Sequence, residues 1–191
     1  MEKHLKIYLN APITLTFVAI CLGATILGYL TNDFTTELFF CTYPSSFLNP
    51  LTYVRLIGHI FGHADFEHLL SNMIYILLLG PILEEKYHHN LIPIIVCVAV
   101  ITGIIHNIFF NNALLGASGI VFAFILLSSI TGSKEGIPIT LILVAIFYLG
   151  SEVINGIFVQ DDISQLTHIV GGLSGAGLGL YLKGTKRSSK Y

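Results

Sequence analysis

The sequence predicts an all-α membrane protein: a bundle of six transmembrane helices, with a long interfacial loop between the first and second. Three observations carry that expectation. Hydrophobic residues make up 54% of the 191-residue chain and charged residues only 10%, where soluble domains carry ~25% charged residues. Apolar runs of near-spanning length recur along the chain, and the basic residues gather on alternate connections between them. This inventory does not supply a water-facing surface and so excludes a cytosolic enzyme. A net charge of −2 gives no basis for a nucleic-acid partner. Cys21, Cys41 and Cys97 are too few and too scattered for a disulfide framework or a zinc cluster. Neither a metal nor another cofactor is expected.

Taken in order, the apolar runs lie at 12–30, 66–83, 91–110, 113–131, 137–155 and 164–183. Each approaches the ~20 helical residues that cross the hydrocarbon. They leave no room for a second domain, so residues 1–191 read as one. The first run is long for the apolar part of a signal peptide and no small-residue cleavage site follows it, so it is read as a retained span. The connection at 31–65 holds turn signals (Asn32-Asp33, Pro44-Ser45-Ser46, Asn49-Pro50) among aromatic residues such as Tyr53 and Phe61. That mixture suits the membrane interface. Lys3, Lys6, Lys86, Lys134, Lys183, Lys186, Arg187 and Lys190 fall on one side of this plan, and Arg55 alone on the other. The positive-inside rule then places both termini in the cytoplasm.

Polar side chains within the spans are costly there and mark candidate function. His68 and Asn72 open the second span, Ser118 the fourth, and His168 the sixth, all at similar depth below the outer face. A serine hydroxyl becomes nucleophilic when a histidine takes its proton. No Asp or Glu lies in the fourth or sixth span, so such a pair would act as a dyad. The alternative is a buried histidine satisfied by a backbone carbonyl. Gly171, Gly175 and Gly179 form a small-residue stripe below His168, and Gly116, Gly119 and Ala123 offer a matching face. Such faces let helices approach closely, with or without chemistry.

Gly116-Ala117-Ser118-Gly119 has the pattern Gly-x-Ser-Gly, which recurs at Gly172-Leu173-Ser174-Gly175. Ser174 lies six residues beyond His168, on the opposite side of that helix at ~100° per residue. Ser118 opens its helix, where free backbone N–H groups can bind an anion. Ser118 is therefore the better nucleophile. His68 and Asn72, four apart, share a helix face, and together with the Ser118 amide they could stabilise a tetrahedral oxyanion. Simple interhelical hydrogen bonding is the competing account. A metal site at His59, His63 and His68 is disfavoured by the lack of suitably spaced acidic or cysteine ligands.

Together these residues resemble the rhomboid family of intramembrane serine proteases. The resemblance runs in order through Arg55 and His59 in the outer loop, His63, His68, Asn72 and Glu84 around the second span, and Gly116-Ala117-Ser118-Gly119. It ends with His168, Gly171 and Gly175 (His-x-x-Gly-x-x-x-Gly). It implies Ser118 as nucleophile, His168 as base and then acid, and an oxyanion hole of His68, Asn72 and the Ser118 amide. His63, Gly116, Gly119 and Phe122 would shape the site, while Arg55 and Glu84 would be structural. Two positions depart from the family pattern. Val54 stands where Trp often precedes the loop arginine, and Phe122 stands where many members have a Tyr stacked on the catalytic histidine.

The resemblance further implies a multi-pass protein of a bacterial plasma (inner) membrane, surrounded by lipid and with no obligate partner. Its substrates would be single-span transmembrane proteins cut near the outer face. The fifth span and a cap at 156–163, near Gly150 and Gly156, would move to admit them. A catalytically silent relative that binds transmembrane segments is the alternative. A transporter or channel would instead place its polar residues at the midplane.

Overall fold

The structure is a computed structural model and describes residues 8–131, 137–158 and 162–188. Helix α1 (Pro12–Leu30) begins with Pro12 in its first turn, where a missing N–H costs nothing. Short helices α2 (Phe34–Phe39) and α3 (Pro50–Gly58) follow. Then come α4 (Phe66–Tyr87), α5 (Leu91–Phe109), α6 (Ser118–Thr131), α7 (Ile139–Phe158) and α8 (Asp162–Ser188). The described residues contain only an isolated β-bridge, Thr42 to Leu114, besides the helices.

The long helices alternate in direction. Glu84 near the end of α4 accepts hydrogen bonds from the Ile13 and Thr14 amides at the start of α1. The Thr140 hydroxyl at the start of α7 donates to the Ser129 carbonyl near the end of α6. Asn107 Nδ2 near the end of α5 donates to the Tyr43 carbonyl at 3.0 Å. The α4, α6 and α8 starts thus share one end of the bundle, here called the top, with the end of α5 and the 31–65 connection. Lys86 lies at the bottom, where α1 and α7 begin.

Three helix ends fall away from the bounds of the expected apolar runs. The second run, expected at 66–83, continues to Tyr87 because Glu84 is buried with its carboxylate fully engaged, so a charge there does not end the helix. The fourth, expected from 113, begins only at Ser118, because Gly116 has φ +125° and that backbone cannot be helical. The fifth continues to Phe158, so Gly156 lies within α7 instead of in a cap, and residues 159–161 lie outside the described residues.

The 31–65 connection is more ordered than a loop. The Asn49 side chain caps α3 by accepting from the Leu51 amide, with Pro50 next in line. Arg55 Nε donates to the Leu38 carbonyl at 3.1 Å, and its guanidinium lies 4.4 Å from the Tyr43 ring centre. These bonds fold the connection across the top.

Buried Ile76, Leu83, Leu91, Val98, Ile120 and Leu127 make the centre of the core, on α4, α5 and α6. Helix α8 packs most extensively on α6. A Cβ on Gly171 would collide with the backbone of Gly119, one on Gly175 would lie 2.7 Å from Ala123 Cα, and one on Gly179 would meet Leu127. Both helices advance four residues between contacts, so α6 and α8 are parallel and in register. The outside of the bundle is apolar: Leu78 is 64% exposed and Phe147 71%. Surfaces of this kind call for a non-aqueous neighbour. Among the described residues, Pro12–Leu30 and Phe66–Phe109 are the stretches long and apolar enough to cross a membrane, and Ser118–Thr131 is a shorter apolar helix.

Candidate active site

At the top of α4, the Asp65 carboxylate accepts the His68 amide at 2.7 Å and so fixes where the helix starts. One turn later the face carrying His68 and Asn72 meets the turn into α6. A Cβ on Gly116 would lie 2.8 Å from His68 Nε2 and 3.9 Å from Asn72 Nδ2. Only glycine tolerates both that crowding and its positive φ. Asn72 is buried, and its Nδ2 has no hydrogen-bond partner among the described residues. An orphaned donor in such a place carries a desolvation cost of about 1–3 kcal/mol, so it marks a position where an acceptor is wanted.

Ser118 is half-buried and is the first residue of α6. The first amides of any α-helix lack intrahelical acceptors. The first bond back into this helix is from the Val121 amide to the Ala117 carbonyl, 2.9 Å. Phe122, one turn below Ser118 on the same face, stacks on His168 with ring centres 4.4 Å apart and planes 5° from parallel. The aromatic ring expected to hold this imidazole therefore does so without a hydroxyl. Gly119 lies against Thr102 and Thr167, each methyl 3.6 Å from the position its Cβ would take. Helix α8 thus arrives beside Ser118 with His168 on that approach. Ser174 sits deeper in α8, half-buried and next to the Gly175 contact.

The loop histidines are tied to structure. His59 is fully buried, with Nδ1 3.2 Å from the Arg55 carbonyl and Nε2 3.4 Å from the Thr102 hydroxyl. His63 is buried, with Nδ1 3.2 Å from the Phe61 carbonyl and Nε2 accepting from the Ala117 amide at 3.4 Å. Burial pushes His59 down to about 4, and burial together with the neighbouring His68 does the same for His63. Both rings are neutral at physiological pH. Their ring nitrogens are engaged, and among the described residues no group of three His, Cys, Asp or Glu is arranged around a metal position.

The structure brings His63, His68, Asn72 and Gly116 together, and separately Gly119, Phe122 and His168, with Ser118 joining the two sets along α6. Sequence reasoning passed over Asp65 and Thr102. Asp65 carried a signal, an acid just before an apolar helix. Thr102, a threonine within an apolar helix, carried none.

A family model described as the Rhomboid domain matches residues 50–185, a segment that holds every one of these site residues. The chain is also similar to Rhomboid-related protein 2 of the mouse (Mus musculus), 26% identical over 154 residues, which cover 69% of this chain and 51% of that protein. It therefore spans about half the length of that curated relative. A match across well over half of the chain, on a helical fold with an apolar exterior, leads to one conclusion: the chain belongs to the rhomboid family, membrane proteins that are generally serine proteases.

Proposed function

We propose that this protein is an intramembrane serine endopeptidase that cuts transmembrane proteins near the outer face of the membrane. The observation that carries this reading is the buried Asn72 Nδ2 beside the turn into α6, unpartnered among the described residues. A donor held ready without an acceptor suits a site where negative charge appears only during reaction.

Ser118 Oγ passes its proton to His168 and attacks the scissile carbonyl carbon. The resulting oxyanion is held by the Ser118 amide, Asn72 Nδ2 and the His68 ring. As the intermediate collapses, the C–N bond breaks and His168 returns the proton to the leaving amine. Water, deprotonated by His168, then attacks the acyl-enzyme and frees Ser118. No carboxylate is needed to orient the imidazole, because the stacked Phe122 ring supplies that restraint.

All six long helices, α1 and α4 through α8, cross the membrane in this reading, with the top outermost and both termini cytoplasmic. The site then lies below the outer surface, and water reaches it through a polar cup open at the top. A substrate helix must unwind before its carbonyl meets Ser118. Helix breakers and small residues near the outer face are therefore favoured in the substrate.

A fluorophosphonate probe applied to detergent-solubilised protein should label the wild type and Ser174→Ala, and should fail on Ser118→Ala and His168→Ala. Labelling that survives Ser118→Ala removes it as nucleophile. A properly folded wild type that neither labels nor cleaves would leave a silent, segment-binding relative as the reading. Asn72→Ala should lower kcat by about 10²–10³-fold, with a smaller effect on thermal stability. An unchanged rate takes Asn72 out of the oxyanion hole.

A further inference from the structure

His59 and His63 border the site but take no part in the chemistry above. Each holds one amide of the turn leading to Ser118. The Gly116 N–H donates to the His59 carbonyl at 2.9 Å, and the Ala117 N–H donates to His63 Nε2 at 3.4 Å. The Phe61 carbonyl, 3.2 Å from His63 Nδ1, can only accept. The ring proton is therefore on Nδ1, and Nε2 presents the lone pair that the Ala117 amide needs. The His63 ring also meets His68 edge-on, with centres 5.0 Å apart and planes at 68°.

A glycine at φ +125° is a joint that turns easily. The peptide joining Gly116 to Ala117 carries the Gly116 carbonyl on one edge and the Ala117 N–H on the other, pointing in opposite directions. If this peptide turned over, the Gly116 carbonyl would swing toward the face that His68 and Asn72 present to the turn. It would then satisfy their donors with the protein's own backbone, and the charge of a reacting substrate would find them occupied. The observed Asn72 Nδ2 has no such partner. Among the described residues, only the bond to His63 fixes the Ala117 edge of that peptide.

We propose that His63 is a positioning residue: by accepting the Ala117 N–H it locks the Gly116–Ala117 peptide and keeps the oxyanion hole open. This rests on the reading of Ser118 as nucleophile. His63 touches no reacting atom, and it acts through the turn and through the His68 ring.

The test uses the full chain with two substitutions. His63→Phe keeps a ring against His68 but removes the acceptor, whereas His63→Gln retains an acceptor within reach of Ala117. The Phe variant should lose kcat by about 10²–10³-fold with KM within about twofold. The Gln variant should recover at least about tenfold of that loss. Amide exchange at Ala117 should be slow in wild type, Ser118→Ala and His63→Gln, and fast in His63→Phe. A Phe variant with wild-type kcat, Phe and Gln variants equally impaired, or an Ala117 amide protected in both would each overturn the proposal. Two readouts do not need activity: the Ala117 exchange, and nitrogen-15 spectra of His63 in the unmodified chain. The spectra should show the neutral Nδ1–H tautomer, and an Nε2–H tautomer overturns the proposal even if the variants do not fold. A wild type that neither labels nor cleaves, yet shows the Nδ1–H tautomer and a protected Ala117, would fail the protease reading while leaving the locked peptide standing.

Discussion

Gly116 concentrates the demands of the site in one residue. Its positive φ turns the chain into α6, and its missing side chain makes room for the His68 ring. Alanine there meets both a backbone penalty of about 1–3 kcal/mol and a collision with that ring. Gly116→Ala should therefore lower thermal stability and abolish cleavage. Gly119→Ala, whose added methyl would meet neighbours only at ordinary contact distance, should be milder in stability. Thermal denaturation of both variants, read beside their activities, checks the contrast. Residue chemistry was the most legible level of this chain: Ser118, His168, His68 and Asn72 stood out as polar groups in apolar surroundings. The special backbone of Gly116 was not legible, since a glycine pattern gives no φ. The His63 bond to Ala117 joins residues 54 positions apart, and no local pattern announces such a contact.

At the scale of elements, the parallel seam between α6 and α8 is the main device. Its contact residues were visible as glycines every four positions, because close approach requires small side chains. Its register and parallel direction came only from packing. Gly175→Leu should push the helices apart and sharply reduce both stability and fluorophosphonate labelling. Gly177→Leu, at a position with open space beside it, should be tolerated, and thermal midpoints of the two variants decide the matter. Helix α6 also shows where sequence reading fails. Residues 113–117 are apolar enough to extend a span, but the Thr42–Leu114 bridge and the Gly116 turn hold them as a strap.

The tie between the 31–65 connection and the bundle carries a pH dependence. Folded His59 and His63 stay neutral down to about pH 4, whereas unfolded histidine protonates near ~6.5. Between those values the unfolded chain binds more protons, so stability is full above ~6.5 and falls as pH drops toward 4. Direct conversion gives roughly 3 kcal/mol for each ring as an upper figure. The thermal midpoint should fall between pH 7 and pH 4.5 by an amount that the double variant His59→Gln/His63→Gln largely removes. An equally steep fall in the double variant would assign the effect to other groups.

For the whole molecule, the apolar runs anticipated a helical architecture, and the crossing of six helices with the basic residues inside is part of the proposal. The proposed orientation in a membrane has a direct check. In a background with the native cysteines replaced, Leu48→Cys at the top should react with an impermeant maleimide added to intact cells. Lys86→Cys at the bottom should react only after permeabilisation. The reverse pattern would invert the protein and place its chemistry on the cytoplasmic side. The exposed apolar belt also requires the isolated protein to remain in detergent or lipid throughout.

The carboxylate of Glu84 joins two histories of the chain. It receives the Ile13 amide, the Thr14 amide and the Thr14 hydroxyl at 2.8–2.9 Å, yet the family match begins only at residue 50. A core cut to that matched segment would keep the acid and lose all three of these donors. Breaking such an arrangement costs about 3–5 kcal/mol, before any lost packing is counted. Helix α1 thus supplies the solvation of an acid that lies inside the matched segment.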